Sequence, residues 1–268
     1  MKISIYTFVR DGIQLDFHIV EMLRHHLPFA DEIIVNEGFS SDDTYARIKD
    51  LDPKIKVFQE KWDQGDPKSW YRDFKDRTRR RCTGDWCILL DCDEFIPEWE
   101  FDTIRQKLSQ TDKTVFGMRY LNFYGNYKVI NANPGKFFWP SEKYTIHRNL
   151  DSIEVWGDGS NVRVRGTKGQ VTEQEYYGAP FADVHHFGFV RHGARLREKW
   201  WLQRKRNEGS LVRWLPGFLF DLFPHKWDDP YFFSDLCLYD GPYMKTVLEQ
   251  EQEFIRDDMQ LSRRLKET

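Results

Sequence analysis

Residues 84–94 read Gly84-Asp85-Trp86-Cys87-Ile88-Leu89-Leu90-Asp91-Cys92-Asp93-Glu94. Trp86 to Leu90 is a short apolar run without polar alternation, the pattern of a strand buried on both faces in the middle of a parallel sheet. Three carboxylates follow where the run stops. Ligands of open α/β sheets bind at the carboxyl edge of the strands, so Asp91, Asp93 and Glu94 stand where a ligand is expected. Asp91 and Asp93 are two apart and point the same way on an extended backbone. Hard oxygen ligands so placed suit Mg²⁺ or Mn²⁺ bridging a diphosphate.

Upstream of this stretch, strands and helices alternate, which predicts a parallel sheet covered by helices. Strand one is Lys2 to Val9. After the Asp11-Gly12 turn, Ile13, Phe17, Val20, Leu23 and Leu27 recur at helical spacing until Pro28 stops the helix. Glu32 to Asn36 reads as strand two. The polar turn Glu37 to Thr44 offers Ser and Asp side chains to cap a helix carrying Tyr45 and Ile48. Strand three is Lys54 to Phe58, and a helix from about Ser69 to Cys82 leads into the opening stretch. Downstream, Val115 to Phe123 and Lys143 to Arg148 read as strands, and Gly157 to Gly169 is rich in glycine and charge. The last third holds a basic-aromatic helix (Ala194 to Asn207), an aromatic segment (Leu211 to Phe223) and an amphipathic tail (Tyr243 to Leu265).

Composition limits the function classes. With 268 residues, 40% hydrophobic and 31% charged, the chain can bury a substantial core and is globular. A net charge of −3 provides no global positive field for a polyanion, so nucleic acid is not an expected partner. No apolar run approaches the roughly 20 residues of a membrane-spanning helix. Met1 to Arg10 alternate like a strand and lack the apolar core of a signal peptide, which places the chain in the cytoplasm. The cations and indoles of Arg195 to Arg206 allow peripheral contact with the inner membrane surface. Four cysteines without a CxxC pair read as buried free thiols.

Strand Ile3 to Val9, then Glu32-Ile33-Ile34-Val35-Asn36-Glu37-Gly38, then Ser41-Asp42-Asp43-Thr44, then Thr83-Gly84-Asp85-Trp86 leading into Asp91-Cys92-Asp93-Glu94 occur in an order and spacing that resembles the family 2 glycosyltransferases of GT-A fold. The resemblance covers roughly the first hundred residues. It implies an α/β, Rossmann-like, mostly parallel central sheet flanked by helices, with a C-terminal helical and aromatic extension. Residues 1–112 would be the donor-binding half, 113–193 the acceptor-side half, and 194–268 the extension.

The resemblance further implies a metal-dependent, inverting transfer of a sugar from a nucleoside-diphosphate sugar, UDP-sugar favoured, to a hydroxyl of a saccharide or glycolipid. Thr7, Phe8 and Arg10 with Asp11 would cradle base and ribose, and Glu37 would contact the base, standing in Asn36-Glu37 where the family more often has two Asp. Asp91 would lie near ribose, diphosphate and metal. Asp93 would bind the metal, a site that His186 of His186-Phe187-Gly188 completes, with Mn²⁺ or Mg²⁺ as the ion. Arg72 and Lys75 are candidates for the donor phosphates, Lys75-Asp76 taking the place of the family's Arg-Asn.

Inverting transfer needs a carboxylate to accept the acceptor hydroxyl's proton. Trp156-Gly157-Asp158-Gly159 lacks the His-Glu pair of related enzymes, which leaves Asp158 as the first candidate and Asp183 as the second. Two other readings compete. A nucleotidyltransferase also puts paired carboxylates and Mg²⁺ at a strand end, but Phe8-Val9-Arg10-Asp11-Gly12 is a poor phosphate loop. A catalytically inactive carbohydrate- or nucleotide-binding scaffold would keep the fold without the base.

Overall fold

A computed structural model describes residues 1–61, 70–132, 141–169, 173–191 and 235–249. The chain groups into two compact units, one of residues 1–121 and 140–186, the other of 122–139 and 187–268. Residues 113–121 and 140–186 thus pack with the N-terminal hundred residues. The segments 194–207 and 211–223, and the tail beyond 249, lie outside the described residues.

The first unit is built on β1 (Ile3–Val9), β2 (Glu32–Glu37), β3 (Ile55–Gln59) and β4 (Trp86–Leu89). β1 is central, parallel to β2 on one side and to β4 on the other, with β3 outside β2. Beyond β4 the sheet turns antiparallel through β8 (Glu142–Arg148) and the first part of β6 (Val115–Tyr124). A strand with neighbours on both sides and helices over both faces must be apolar along its length. Ile3, Ile5 and Val9 and the whole of β4 are accordingly buried.

The polar exceptions in β1 are paired or functional in position. Ser4 Oγ donates to Glu32 Oε1 at 2.7 Å and accepts from the Gly84 amide at 2.8 Å. A Cβ at Gly84 would stand 2.6 Å from that hydroxyl, which is why the turn into β4 carries glycine. Burial alone would raise the Glu32 carboxyl, but Lys56 and the Thr83 and Ser4 donors outweigh it and hold it at about 2.

Helix α1 is Ile19–His26, with Ile19, Met22 and Leu23 wholly buried. It begins later than the apolar spacing predicts. Residues 11–17 form a turn in which Asp11 and Asp16 have φ of 52° and 51°. The turn is tied to the loop after β2 by Asp11 N to Ser40 Oγ (2.8 Å), Ile13 N to Thr44 Oγ1 (3.1 Å) and Gln14 N to Asp42 Oδ2 (2.7 Å). Those partners hold the amides of Asp11, Ile13 and Gln14 in the turn, and Phe17 N bonds back to Gly12 O, so the regular helix starts only at Ile19. Helix α2 (Thr44–Ile48) has Asp43 at its N-cap position, yet Asp42 supplies the carboxylate that receives the Thr44 amide.

Helix α3 (Trp70–Arg79) lays Phe74 and Thr78 against the β1–β2 face, where Tyr6, Ile34, Cys87 and Leu89 form a core. α4 (Phe101–Ser109) follows a 3₁₀ turn at Glu98–Glu100. β9 (Ile153–Trp156) and β10 (Asn161–Val164) form a hairpin that buries Ile153, Val155, Val162 and Val164 on Val115 and Tyr177. The two-residue strand β5 (Glu94–Phe95) and the first part of β12 (Asp183–Phe189) pair antiparallel, and β11 (Tyr177–Gly178) lies parallel to the start of β6.

In the second unit, the end of β6 pairs with β7 (Asn126–Asn131), and β7 pairs with β13 (Leu236–Leu238). Phe187 packs its ring on Phe123 and Tyr127 at 4.9 and 4.8 Å between centroids. A short helix, α5 (Lys245–Glu249), buries Val247. No described helix is long and apolar enough to cross a membrane.

Candidate active site

β4 ends one residue before the acidic stretch, and Leu90 N still bonds Tyr6 O of β1. The chain then turns. Glu94 N donates to Asp91 O at 3.0 Å, and Asp91 N donates to Glu94 Oε2 at 2.9 Å, so the turn closes on itself. Glu94 enters β5, whose register sets it opposite His186 of β12. His186 Nε2 stands 3.7 Å from Asp93 Oδ1, with 15% and 5% of the two side chains exposed. The pair predicted from a hundred residues apart is brought together.

Asp91 sits between two ammonium groups. Lys75 of α3, buried at 4%, donates from Nζ to Asp91 Oδ1 at 2.8 Å and to Gly159 O at 2.9 Å, and lies 4.4 Å over the Phe8 ring. Lys143 of β8 is bonded to Glu94 Oε1 and lies 3.9 Å from Asp91 Oδ2. Tyr120 OH donates to Glu94 Oε2 at 3.2 Å. Burial works against the Asp91 charge, but Lys75 and Lys143 overcome it and keep the carboxyl below its ordinary value. Burial pushes Glu94 up despite Lys143. Burial also opposes the Lys143 charge, yet Glu94 and Asp91 together hold its pKa above the usual lysine value.

The other expected donor-side residues line the carboxyl edge of β1 and β2, where Val9 is in register with Glu37. Thr7 is buried, and its Oγ1 finds no hydrogen-bond partner among the described residues. Phe8 packs edge-on to Tyr71 and Phe74. Arg10 is 3.6 Å from Asp11 Oδ2, and Asp11 Oδ1 accepts from Ser41 N and Oγ. Glu37 is fully buried and accepts from Phe39 N, Ser40 N and Gln59 Nε2. Its carboxylate therefore shapes the loop that follows β2. Arg72 pairs with Asp73 at 3.2 Å and lies with Val155 and Trp156 of β9 around one cavity.

The two candidate bases differ in setting. Asp158 is exposed at the tip of the β9–β10 hairpin, where its Oδ1 accepts from Ser160 N at 3.0 Å. Gly159 beside it has φ of 95°, and a Cβ there would lie 3.3 Å from Lys75 Cδ. Glycine thus lets the tip rest on α3 with its carbonyl on Lys75. Asp183 is bound to Arg119 Nε at 2.6 Å.

Lys143 and Tyr120 are members of this cluster that the sequence reading missed. A signal for Lys143 was present: Lys143, Thr145 and His147 alternate with Tyr144 and Ile146 in a strand, and all three are buried. A period-two polar stripe on an inner strand marks a polar network rather than a solvent face.

No family model matches the sequence. No curated protein is significantly similar to it. Several solved structures are similar in fold. S. aureus TarS residues 1–349 aligns at 12% identity and a TM-score of 0.45, over 82% of this chain and 68% of that one. The same protein in complex with UDP-GlcNAc gives 12%, 0.42, 82% and 70%. Glucosyl-3-phosphoglycerate synthase from Mycobacterium tuberculosis, in complex with Mn²⁺ and UDP-glucose, gives 14%, 0.43, 78% and 80%. At these values the site has to be read from its own residues.

Among the described residues, no three His, Cys, Asp or Glu side chains converge as a metal-ligand set. Asp93 and His186 do converge, and a carboxylate with an imidazole suits Mn²⁺. Ions of this kind commonly take their remaining ligands from substrate phosphates and water, so the pair fits as the protein's share of such a site. Asp91 fits less well, because both of its oxygens face ammonium groups.

Proposed function

We propose that this chain is a glycosyltransferase that takes a sugar from a nucleoside-diphosphate sugar, UDP-sugar favoured, and attaches it to a hydroxyl of a saccharide or glycolipid. The observation that carries the reading is the Asp93–His186 pair beside an Asp91 clamped by Lys75 and Lys143, all at the carboxyl edge of a parallel sheet. Asp93 and His186 would hold Mn²⁺ or Mg²⁺. Such an ion, when bound, neutralises charge on a departing diphosphate.

The chain's own residues do the rest. Thr7, Phe8, Arg10 and Asp11 form the wall along which base and ribose lie, and Glu37 holds the adjoining loop in shape through its three accepted bonds. Asp91 is kept ionised by its two lysines and presents a fixed negative edge to the ribose or diphosphate. Lys75 acts by orienting Asp91, since its bonds go to Asp91 and Gly159. Asp158 accepts the proton of the attacking hydroxyl in an inverting displacement, and Asp183 is held by Arg119.

Thermal denaturation in the presence of UDP, GDP, CDP or TDP, with and without Mn²⁺, tests the reading, because a ligand that binds only the native state raises the midpoint. One diphosphate is expected to stabilise the wild type only when Mn²⁺ is present. Asp93→Ala is expected to abolish that shift while leaving the ligand-free midpoint within a few degrees. A metal-dependent shift that survives in Asp93→Ala removes the metal assignment.

Asp158→Asn keeps the bond from Ser160 N and loses the basic oxygen. It is expected to lower turnover of UDP-sugar roughly 100-fold or more with nucleotide affinity unchanged, and near-normal turnover transfers the role to another carboxylate.

A further inference from the structure

Away from the acidic turn, a cavity of about 520 Å³ lies between α3 and the β9–β10 hairpin. That volume is in the range that holds a saccharide-sized ligand. Arg72, Arg77 and Arg80 form one wall, and Trp156 and Arg163 form the other. In all, four arginines and three carboxylates line it.

The ion pairs across these walls share one geometry. Arg72, Arg77, Arg80 and Arg163 each engage a carboxylate through Nε. A guanidinium has five N–H donors, four of them on the terminal nitrogens. For Arg72, Arg77 and Arg80 the terminal nitrogens make no hydrogen bond to any described residue. The carboxylates therefore orient the guanidinium groups and leave their paired edges for an anion, the geometry that reads carboxylate or phosphate two donors at a time.

The opposite wall is flat and held. Arg163 lies 3.2 Å from the centroid of the Trp156 indole and is fixed by Glu154 at 2.6 Å, while Trp156 is 38% exposed. An exposed, braced indole is a surface on which a sugar ring stacks. Asp76 ties the two walls together by accepting from Arg80 Nε and from Val155 N of β9. One lining residue, Arg72, lies next to the candidate active site: the hairpin tip at Gly159 rests on α3 beside Arg72, and its carbonyl shares Lys75 with Asp91.

We propose that this groove binds an anionic saccharide, carrying carboxylate or phosphate, and that this is the acceptor, laid along α3 with its reactive end at the hairpin tip. The assignment as acceptor rests on the transfer reading above. The binding itself does not.

Calorimetric titration of the full chain with tetragalacturonate, glucose 6-phosphate and neutral maltotetraose tests the groove, with UDP plus Mn²⁺ titrated in parallel. Arg77 and Arg80 are half or more exposed, so the double variant Arg77→Ala/Arg80→Ala is expected to fold. It should bind the anionic probes at least tenfold more weakly than wild type and UDP equally well. Trp156→Ala should weaken tetragalacturonate similarly. Preference for tetragalacturonate over glucose 6-phosphate names a carboxylate ligand, and the reverse names a phosphate. Equal binding of maltotetraose, unchanged affinity in the double variant, or no binding of either anionic probe overturns the proposal. Binding of an anionic probe without any response to UDP supports the groove and removes the transfer reading instead.

Discussion

Lys143→Ala is expected to lower the stability of the protein by about 3–5 kcal/mol at pH 8, the usual cost of removing one partner from a buried ion pair. Lys143 is 8% exposed and Glu94 2%, so water cannot replace the ammonium. What remains for Glu94 is the Tyr120 hydroxyl and the Asp91 amide. Asp91 also loses one of its two flanking cations.

The loss has a predictable pH dependence. Burial already places the Glu94 carboxyl above its ordinary value, and removing Lys143 raises it further. A carboxyl with a raised folded pKa costs stability as pH rises from its unfolded value through its folded one. The deficit of Lys143→Ala is therefore small near pH 4.5 and grows toward pH 8. Urea midpoints at the two ends measure it, and equal deficits at both would mean that Glu94 is not the group left exposed. Lys143→Met combined with Glu94→Gln removes both charges and is expected to recover much of the loss.

Acid unfolding begins, on the same physics, well above the carboxylate range. Burial lowers the pKa of His25, of His26, and of His147 and His185, the last two to about 3. Each is held neutral. His26 Nδ1 faces Met22 O and its Nε2 accepts from Ile96 N, while His147 bridges Tyr6 OH and Arg148 O. A histidine with a depressed folded pKa contributes stability that is complete above about 6.5 and is lost as pH falls, at about 1.4 kcal/mol per pH unit for each group.

Between pH 6.5 and 4.5 that amounts to about 5 kcal/mol for His147 and His185 together, against a total of about 5–15 for a typical domain. Glu94 works in the opposite direction over part of this window. Glu32, held at about 2, enters only below it. The unfolding free energy should therefore fall steeply before any carboxylate that stabilises the fold is protonated. His147→Gln should flatten the slope between pH 6.5 and 4.5 by about one proton, and a wild-type slope near zero there would rule out the histidine account.

How much of this was legible in the sequence depended on whether the cause was local. β1, β2 and β4 were readable because each is a largely apolar run bounded by turn residues, and burial on both faces leaves a composition signal, while β3, with Lys56 and Gln59 exposed, was readable from its β-branched and aromatic residues. The start of α1 was misplaced because Ile13 and Phe17 keep helical spacing while Ser40, Asp42 and Thr44, nearly thirty residues away, take the amides of Asp11, Ile13 and Gln14. Asp93 and His186 were legible as a pair through motif resemblance alone, since no periodicity links β5 to β12. Lys143 belongs to no such motif, and its only signal, the alternation of Lys143, Thr145 and His147 along β8, marks a polar network without naming Glu94 as the partner. The groove along α3 was illegible for a different reason: Arg72, Arg77 and Arg80 look like an ordinary solvated face until the hairpin is laid over them.

The central place of β1 also bears on how the molecule is made. Its two neighbours are strands beginning at residues 32 and 86, so β1 leaves the ribosome before either of them and is flanked on both sides only when β4 has followed. At roughly 5–20 residues per second, seconds pass between the emergence of Ile3 and of the Trp86 it must sit beside. During that interval an apolar strand has one open edge, while β2 already has β1 and β3 on its two sides. A nascent chain arrested between residues 60 and 85 therefore keeps that edge of β1 open, and release of the segment ending at Leu89 is the step that covers it, leaving the far edge of β4 to await β8.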